Sequence, residues 1–278
     1  MSDGVLRTGG AHAAHHRNGE KTMKKVIYYS NDQTDDFAEL NIRQKQLPPD
    51  YPYFTKDPVR KALAFLLYYG LALPLVFLFQ KLIYGERIVG RSKLKPYRKT
   101  GYFLYGNHTR IAGDAYTPAL VAFPRKAFIV ANPDCVSIPG IRRIMEDLGA
   151  VPIPTTASGM KNFLAAIRTH TEKGHAVMIY PEAHIWPYYT DIRPFRATSF
   201  RYPADTGQPV FCFTVTYQKR FLLNRPRTTV YIDGPFFASP QDSPKQNQLY
   251  LRNCCFEAMS LRAQSSTFHY VTYIQKGA

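Results

Sequence analysis

Two textures divide the chain. From about residue 86 onward, short apolar runs alternate with longer amphipathic stretches, separated by Gly- and Pro-containing turns. GYFLYGN (101–107) reads as a buried strand with its exit turn, DAYTPALVAF as a helix, and AFIVAN as a strand. SIPGIRRIMEDLG reads as a helix closed by Gly149, AVPIP as a strand, and SGMKNFLAAIRTHTEKG as an amphipathic helix ending at Gly174. HAVMIY, PVFCFTVTY and RTTVYIDG supply three more strands, and KQNQLYLRNCCFEAMSLRAQ a last helix. Strands alternating with helices in this way predict an α/β sheet with helices on its faces. The stretch between Tyr180 and Val210 has no periodicity but many charges and rings, as a site-building loop has.

Upstream the texture changes abruptly. Ala62 to Phe79 is an uncharged apolar run of eighteen residues, long enough as a helix to reach ~27 Å, the lower edge of what spans a bilayer. Gly70 and Pro74 are expected to interrupt it. Both flanks are basic, with Lys56, Arg60 and Lys61 before it and Lys81, Arg87, Arg91 and Lys93 after it. A spanning helix carries its positive excess on one side. The expectation is therefore an anchor over 62–84 that dips into one leaflet, with a buried core helix as the alternative. The predicted organisation is a disordered tail over 1–22, an N-terminal segment over 23–85 that holds the anchor, and an α/β domain over 86–278.

Composition sharpens the picture in one respect. Thirty-six Lys and Arg against twenty Asp and Glu give a formal charge of +16, which calls for an anionic partner: nucleic acid, a membrane surface or a phosphorylated substrate. Aromatics at 14% suit either a headgroup belt or base stacking. Cys135, Cys212, Cys254 and Cys255 have no metal-ligand or redox spacing and read as reduced thiols. The first 22 residues lack the apolar stretch of a secretory signal, and His12, His15 and His16 within them read as a solvated tail.

Three segments carry chemistry. In YGNHTRIAGDAY a His follows a buried strand directly and an Asp follows at the start of a helix, which is the minimal general-base unit at the end of a sheet strand. The competing reading is a packed core histidine with a helix-capping Asp. No Gly-x-Ser-x-Gly pattern appears, which argues against a serine nucleophile and for direct attack by a substrate hydroxyl. The second segment, Tyr180-Pro181-Glu182-Ala183-His184-Ile185-Trp186-Pro187, again follows a strand; its Glu can orient a loop or hold a substrate hydroxyl, His184 is a rival base, and Trp186 suits an acyl chain or membrane contact. The third brings Arg193, Arg196 and Arg201 within nine positions, interleaved with Pro194, Phe195, Phe200 and Tyr202. Arginine is suited to bidentate phosphate binding.

In this order (an apolar segment, then NHTRIAGD, YPE, RPFRATSF and GQPVFCF) the chain resembles the glycerolipid acyltransferase family, which includes the 1-acyl-glycerol-3-phosphate and lysophospholipid acyltransferases. The resemblance covers roughly residues 86–235. It implies a glycerol-3-phosphate acyltransferase-type α/β sheet flanked by helices, with an N-terminal helical membrane anchor. It implies His108 as general base and Asp114 as its orienting carboxylate. It also implies substrate contacts from Asn107, Thr109 and Arg110 beside the base, and from Pro181, Glu182, Arg193 and Arg196. The donor it implies is acyl-CoA or acyl carrier protein, and the acceptor a lysophospholipid or 1-acyl-glycerol-3-phosphate in phospholipid synthesis or remodelling. No metal and no organic cofactor is implied. Membrane lipids are the expected surroundings, on the cytoplasmic face of a bacterial inner membrane.

Four departures from the family pattern stand out. Five residues, Thr109 to Gly113, separate His108 from Asp114 where the family has four, so Gly113 is expected to absorb the extra residue in a tight turn. Thr155 stands where the family's second motif ends in a phosphate-holding Arg. Ala183 replaces the Gly of the third motif, and Cys212 a Pro of the fourth. Two rivals remain at this stage: a lipid transacylase or acyl hydrolase on the same fold, and a non-enzymatic basic protein binding membrane or nucleic acid. No helix-turn-helix, RNA-recognition or zinc-finger pattern supports nucleic acid as a partner.

Overall fold

A computed structural model describes residues 25–37, 45–138, 140–221 and 223–277. The N-terminal histidines His12, His15 and His16 lie outside them.

The segment YFLYG is apolar at every position, a pattern that only a strand covered on both faces satisfies. It forms β3, Tyr102–Gly106, buried throughout. Seven strands make one sheet in the order β2-β8-β7-β3-β6-β4-β5. They are β2 (Arg87–Val89), β3, β4 (Ala127–Ala131), β5 (Ala150–Pro152), β6 (Ala176–Ile179), β7 (Val210–Gln218) and β8 (Arg227–Phe236). All neighbours run parallel except β7 and β8, which form an antiparallel pair. The two-residue period of β3 feeds two cores. Tyr102 and Leu104 pack with Val121, Phe211, Phe213 and Val230 on one side. Phe103 and Tyr105 pack with Phe163, Ile167, Leu251 and Met259 on the other.

Five helices follow the sheet's connections: α2 (Gly113–Ala122), α3 (Arg142–Leu148), α4 (Ala157–Glu172), α5 (Arg201–Thr206) and α6 (Pro244–Ala263). Gly149 ends α3 in the left-handed conformation at φ 107, where a Cβ would meet the carbonyl oxygen of Ala127 at 2.5 Å. Helix α6 opens with a capping box between Ser243 and Gln246. A second, two-stranded parallel sheet joins β1 (Lys25–Tyr29) to β9 (Val271–Gln275), so the N-terminal segment is tied to the chain's other end.

The apolar run departs from its expected form. Helix α1, Pro58–Tyr84, is continuous through Gly70 and Pro74. The reason lies in its register. Over Leu66–Ala72 the helix widens to the π form, and the N–H of Leu73 bonds the carbonyl of Tyr68 five residues back. Pro74, which has no N–H to offer, follows that widened turn and is accommodated without a break. At 27 residues it is ~40 Å long, more than the ~30 Å hydrocarbon layer, and it is the only helix among the described residues long and apolar enough to cross one. Most of its apolar side chains, among them Leu63, Phe65, Leu66, Leu75, Phe77 and Leu82, are exposed. Its other side is fastened to the domain: Tyr68 accepts from the backbone N–H of Ala127 at 3.2 Å, and Gln80 is fully buried.

Candidate active site

The end of β3 delivers Asn107 and His108 to the rim of the sheet. Asn107 is buried and closes a two-way bridge to β7, donating to the carbonyl of Val215 at 3.0 Å and accepting from its N–H at 2.8 Å. That bridge fixes where β3 stops, and hence where His108 stands. The His108 Nδ1 lies 2.9 Å from Asp114 Oδ2, with the imidazole 16% exposed and the carboxylate buried. The same oxygen accepts from the backbone N–H groups of Thr109 at 2.7 Å and Arg110 at 2.8 Å. A carboxylate in this position accepts the Nδ1–H and leaves the Nε2 lone pair on the opposite ring edge. The ring is also held from one face. Tyr180 stacks on it at 4.2 Å between centroids and 13° between planes, while its hydroxyl donates to the Asp114 carbonyl at 2.6 Å.

The extra residue between His108 and Asp114 is handled differently from the expected glycine turn. Gly113 is the first residue of α2 and has no left-handed φ. What it provides is room: a Cβ there would come within 2.9 Å of the Arg110 guanidinium carbon. Arg110 therefore passes beneath the helix start and is wholly buried. It bonds Asp114 Oδ1 at 3.2 Å through Nε and Glu86 Oε2 at 2.8 Å through Nη1. Burial alone would lower its pKa, but the Glu86 and Asp114 carboxylates outweigh that and hold the guanidinium charged. Thr117 joins by donating to Glu86 at 2.7 Å, and Gln80 of α1 donates to Thr117 at 2.9 Å and to the Gly113 carbonyl at 3.0 Å. A polar network thus runs from α1 to the carboxylate beside His108.

The other residues read from sequence as substrate contacts sort into two groups. Thr109 is buried, with its hydroxyl 2.7 Å from that of Tyr217. Asn107, Thr109 and Arg110 thus face inward, and each holds the loop that carries His108. Glu182 and Arg193 likewise face inward. Glu182 is 4% exposed and accepts from the backbone N–H of His108 at 2.9 Å and of Arg193 at 3.0 Å. Arg193, 1% exposed, returns to Glu182 at 3.3 Å, bonds the His184 carbonyl, and lies 5.0 Å over the Trp186 ring. Burial pushes the Glu182 carboxyl up, with Arg193 and the two amides pulling against it. Pro181 is half-buried, and Arg196, unlike Arg110 and Arg193, is exposed. Trp186, read as an acyl-chain or membrane contact, is instead fully buried; it stacks on Tyr273 at 4.8 Å and donates to the Asp35 carbonyl at 2.7 Å. Ala183 adopts φ 64, the left-handed conformation that explains a Gly at this place in the family motif. His184 pairs with Asp36 at 3.3 Å, on the loop rather than at a strand end.

Tyr180, Gln80, Glu86 and Tyr217 were missed from the sequence. Gln80 had a visible signal, a neutral polar side chain closing an apolar run; the other three became legible only once the strands were placed. A cleft of about 590 Å³ separates α1 from the domain, lined by Tyr69, Leu73, Phe77, Leu120 and Phe123 together with the polar Gln80, Lys81, Glu86 and Arg91.

The geometry brings a histidine and an aspartate together at a parallel strand end. Residues 87–216 match the acyltransferase family. That stretch is similar to an acyltransferase domain. Among solved structures, this chain is similar to the 1-acyl-sn-glycerophosphate (LPA) acyltransferase PlsC from Thermotoga maritima, with a TM-score of 0.50 and 15% identity over 76% of this chain and 84% of that one. At that identity the likeness bears on the fold. No match was found among curated protein sequences.

Proposed function

We propose that this acyltransferase moves a fatty acyl group from a thioester, acyl-CoA or acyl carrier protein, to a hydroxyl of a lysophospholipid or 1-acyl-glycerol-3-phosphate. The observation that carries the reading is the 2.9 Å contact between His108 Nδ1 and Asp114 Oδ2, with Nε2 directed away from it. In this reading Nε2 takes the acceptor's proton as its oxygen attacks the thioester carbonyl, Asp114 stabilises the imidazolium, and the proton passes to the leaving thiolate. The family match and the PlsC-like fold support the acceptor class. The cleft beside α1 takes the acyl chain, at ~0.8 kcal/mol per buried CH₂. Arg196, exposed three residues beyond Arg193, meets the acceptor phosphate. The exposed apolar face of α1 supports a location at a membrane.

His108→Ala is expected to lower turnover by ~10²–10⁴ in a folded protein, the usual consequence of losing a general base. Asp114→Asn is expected to leave a smaller defect. Near-normal transfer by folded His108→Ala would overturn the assignment and shift it to the His184–Asp36 pair. Release of free fatty acid at the same rate with and without acceptor would identify a hydrolase instead.

A further inference from the structure

The sheet carries a second apolar feature on the same edge as His108. Because β7 runs parallel to β3, its C-terminal end emerges beside the dyad. The Tyr217–Thr109 hydroxyl contact of 2.7 Å pins that end to the loop holding Asp114. The turn to β8 begins two residues later. Phe221 at its tip is 99% exposed and Leu223 55% exposed. Single exposed apolar residues are ordinary, but these are not isolated. Arg220 donates to the Ile83 carbonyl at the end of α1 at 3.0 Å, and a cleft of about 290 Å³ between the two elements is lined by Leu82, Ile83 and Leu223. The tip thus extends the exposed apolar face of α1. Lys219 and Arg225, both exposed, flank it, so the turn pairs apolar side chains with cations, the complement of a leaflet that has anionic headgroups over hydrocarbon.

We propose that the β7–β8 turn is a second lipid-contacting element. Phe221 and Leu223 enter the acyl-chain layer of an anionic phospholipid leaflet, and Lys219 and Arg225 rest against its phosphates. The proposal rests on the membrane reading of α1. With both contacts on the sheet edge that carries the dyad, the mouth at His108 faces the bilayer, and a lipid acceptor reaches it without crossing water.

The chain's single Trp is buried and serves as a silent background. The full chain carrying Phe221→Trp, and separately Leu66→Trp on the exposed face of α1, is reconstituted into phosphatidylglycerol vesicles with brominated acyl chains. Both new indoles are expected to shift to shorter wavelength and to be quenched well beyond the parent protein. Quenching of the Leu66→Trp protein alone would overturn the proposal and leave the membrane reading standing; quenching of neither would remove both. In phosphatidylcholine the Phe221→Trp signal is expected to weaken, since each basic residue contributes about fivefold to association with an anionic surface. Adding Lys219→Gln and Arg225→Gln is expected to abolish the difference between the two lipids. Equal quenching in both lipids with the cations intact would refute the part assigned to them.

Discussion

At His108, the groups around the imidazole divide into those that face outward and those that hold it still. Asp114 orients the ring through one nitrogen, Tyr180 covers one face, and Glu182 grips the backbone amide of His108 from below. The last role decides a prediction. If Glu182 met the acceptor, Glu182→Gln would raise the acceptor KM in an otherwise stable protein. In the structure its two oxygens face only donors, the amides of His108 and Arg193 and the Arg193 guanidinium. A Gln there turns an N–H₂ towards one of them and leaves the buried Arg193 without its counter-charge. Glu182→Gln is therefore expected to cost about 3 kcal/mol of stability, read from denaturant unfolding in detergent, and to lower turnover more than it raises the acceptor KM. A stable variant with only the acceptor KM raised would restore the acceptor-binding role.

Among the elements, α1 does more than present an apolar face, because Gln80 links it to the start of α2 and so to the Arg110–Asp114 pair. Gln80→Leu removes two donated hydrogen bonds, to the Gly113 carbonyl and to the Thr117 hydroxyl, in a buried place. The cost is expected to be about 1–3 kcal/mol. Turnover should fall severalfold while detergent extraction is unchanged, since the apolar length of the helix is kept; unaltered turnover would show that the network does not position the dyad. This element also shows where sequence was sufficient. The strand and helix runs from 101 to 263 are local patterns, period two or near 3.6, and most were readable within a few residues. The dyad was readable for the same reason, since both residues lie in one short loop. What failed needed distant information. The strand β1 has few neighbours in sequence to announce it and acquires its meaning by pairing Lys25 with Val271. The continuity of α1 through Pro74 depends on a π turn that no propensity scale anticipates, and the buried fate of Glu182 and Arg193 on each other's positions.

Across the whole molecule, the basic surplus has a cost as well as a use. His170 is 3% exposed, stacked 3.7 Å from Phe128 between ring centroids and 6.0 Å from His175. Burial lowers its pKa to about 3, with His175, Lys173 and Lys126 pushing in the same direction. Burial likewise takes His175 to about 4, helped by Arg125, Lys126 and Lys173. Both are depressed below the ordinary value of ~6.5, so the unfolded chain binds protons that the folded protein refuses. Their contribution is present in full above pH ~6.5 and is lost as pH falls from there towards about 4 for His175 and about 3 for His170. His175 is only partly buried and is discounted accordingly. Together the pair is expected to remove about 2–3 kcal/mol of stability between pH 7 and 5. The carboxylates held low by ion pairs, Asp233 and Glu146, act at lower pH and do not obscure that interval. Denaturant midpoints measured across pH 7 to 5 in detergent test this. His170→Gln lowers stability at pH 7 by disturbing the Phe128 contact, but it flattens the slope between pH 7 and 5 by more than half. A slope that survives the substitution would place the acid sensitivity elsewhere in the molecule.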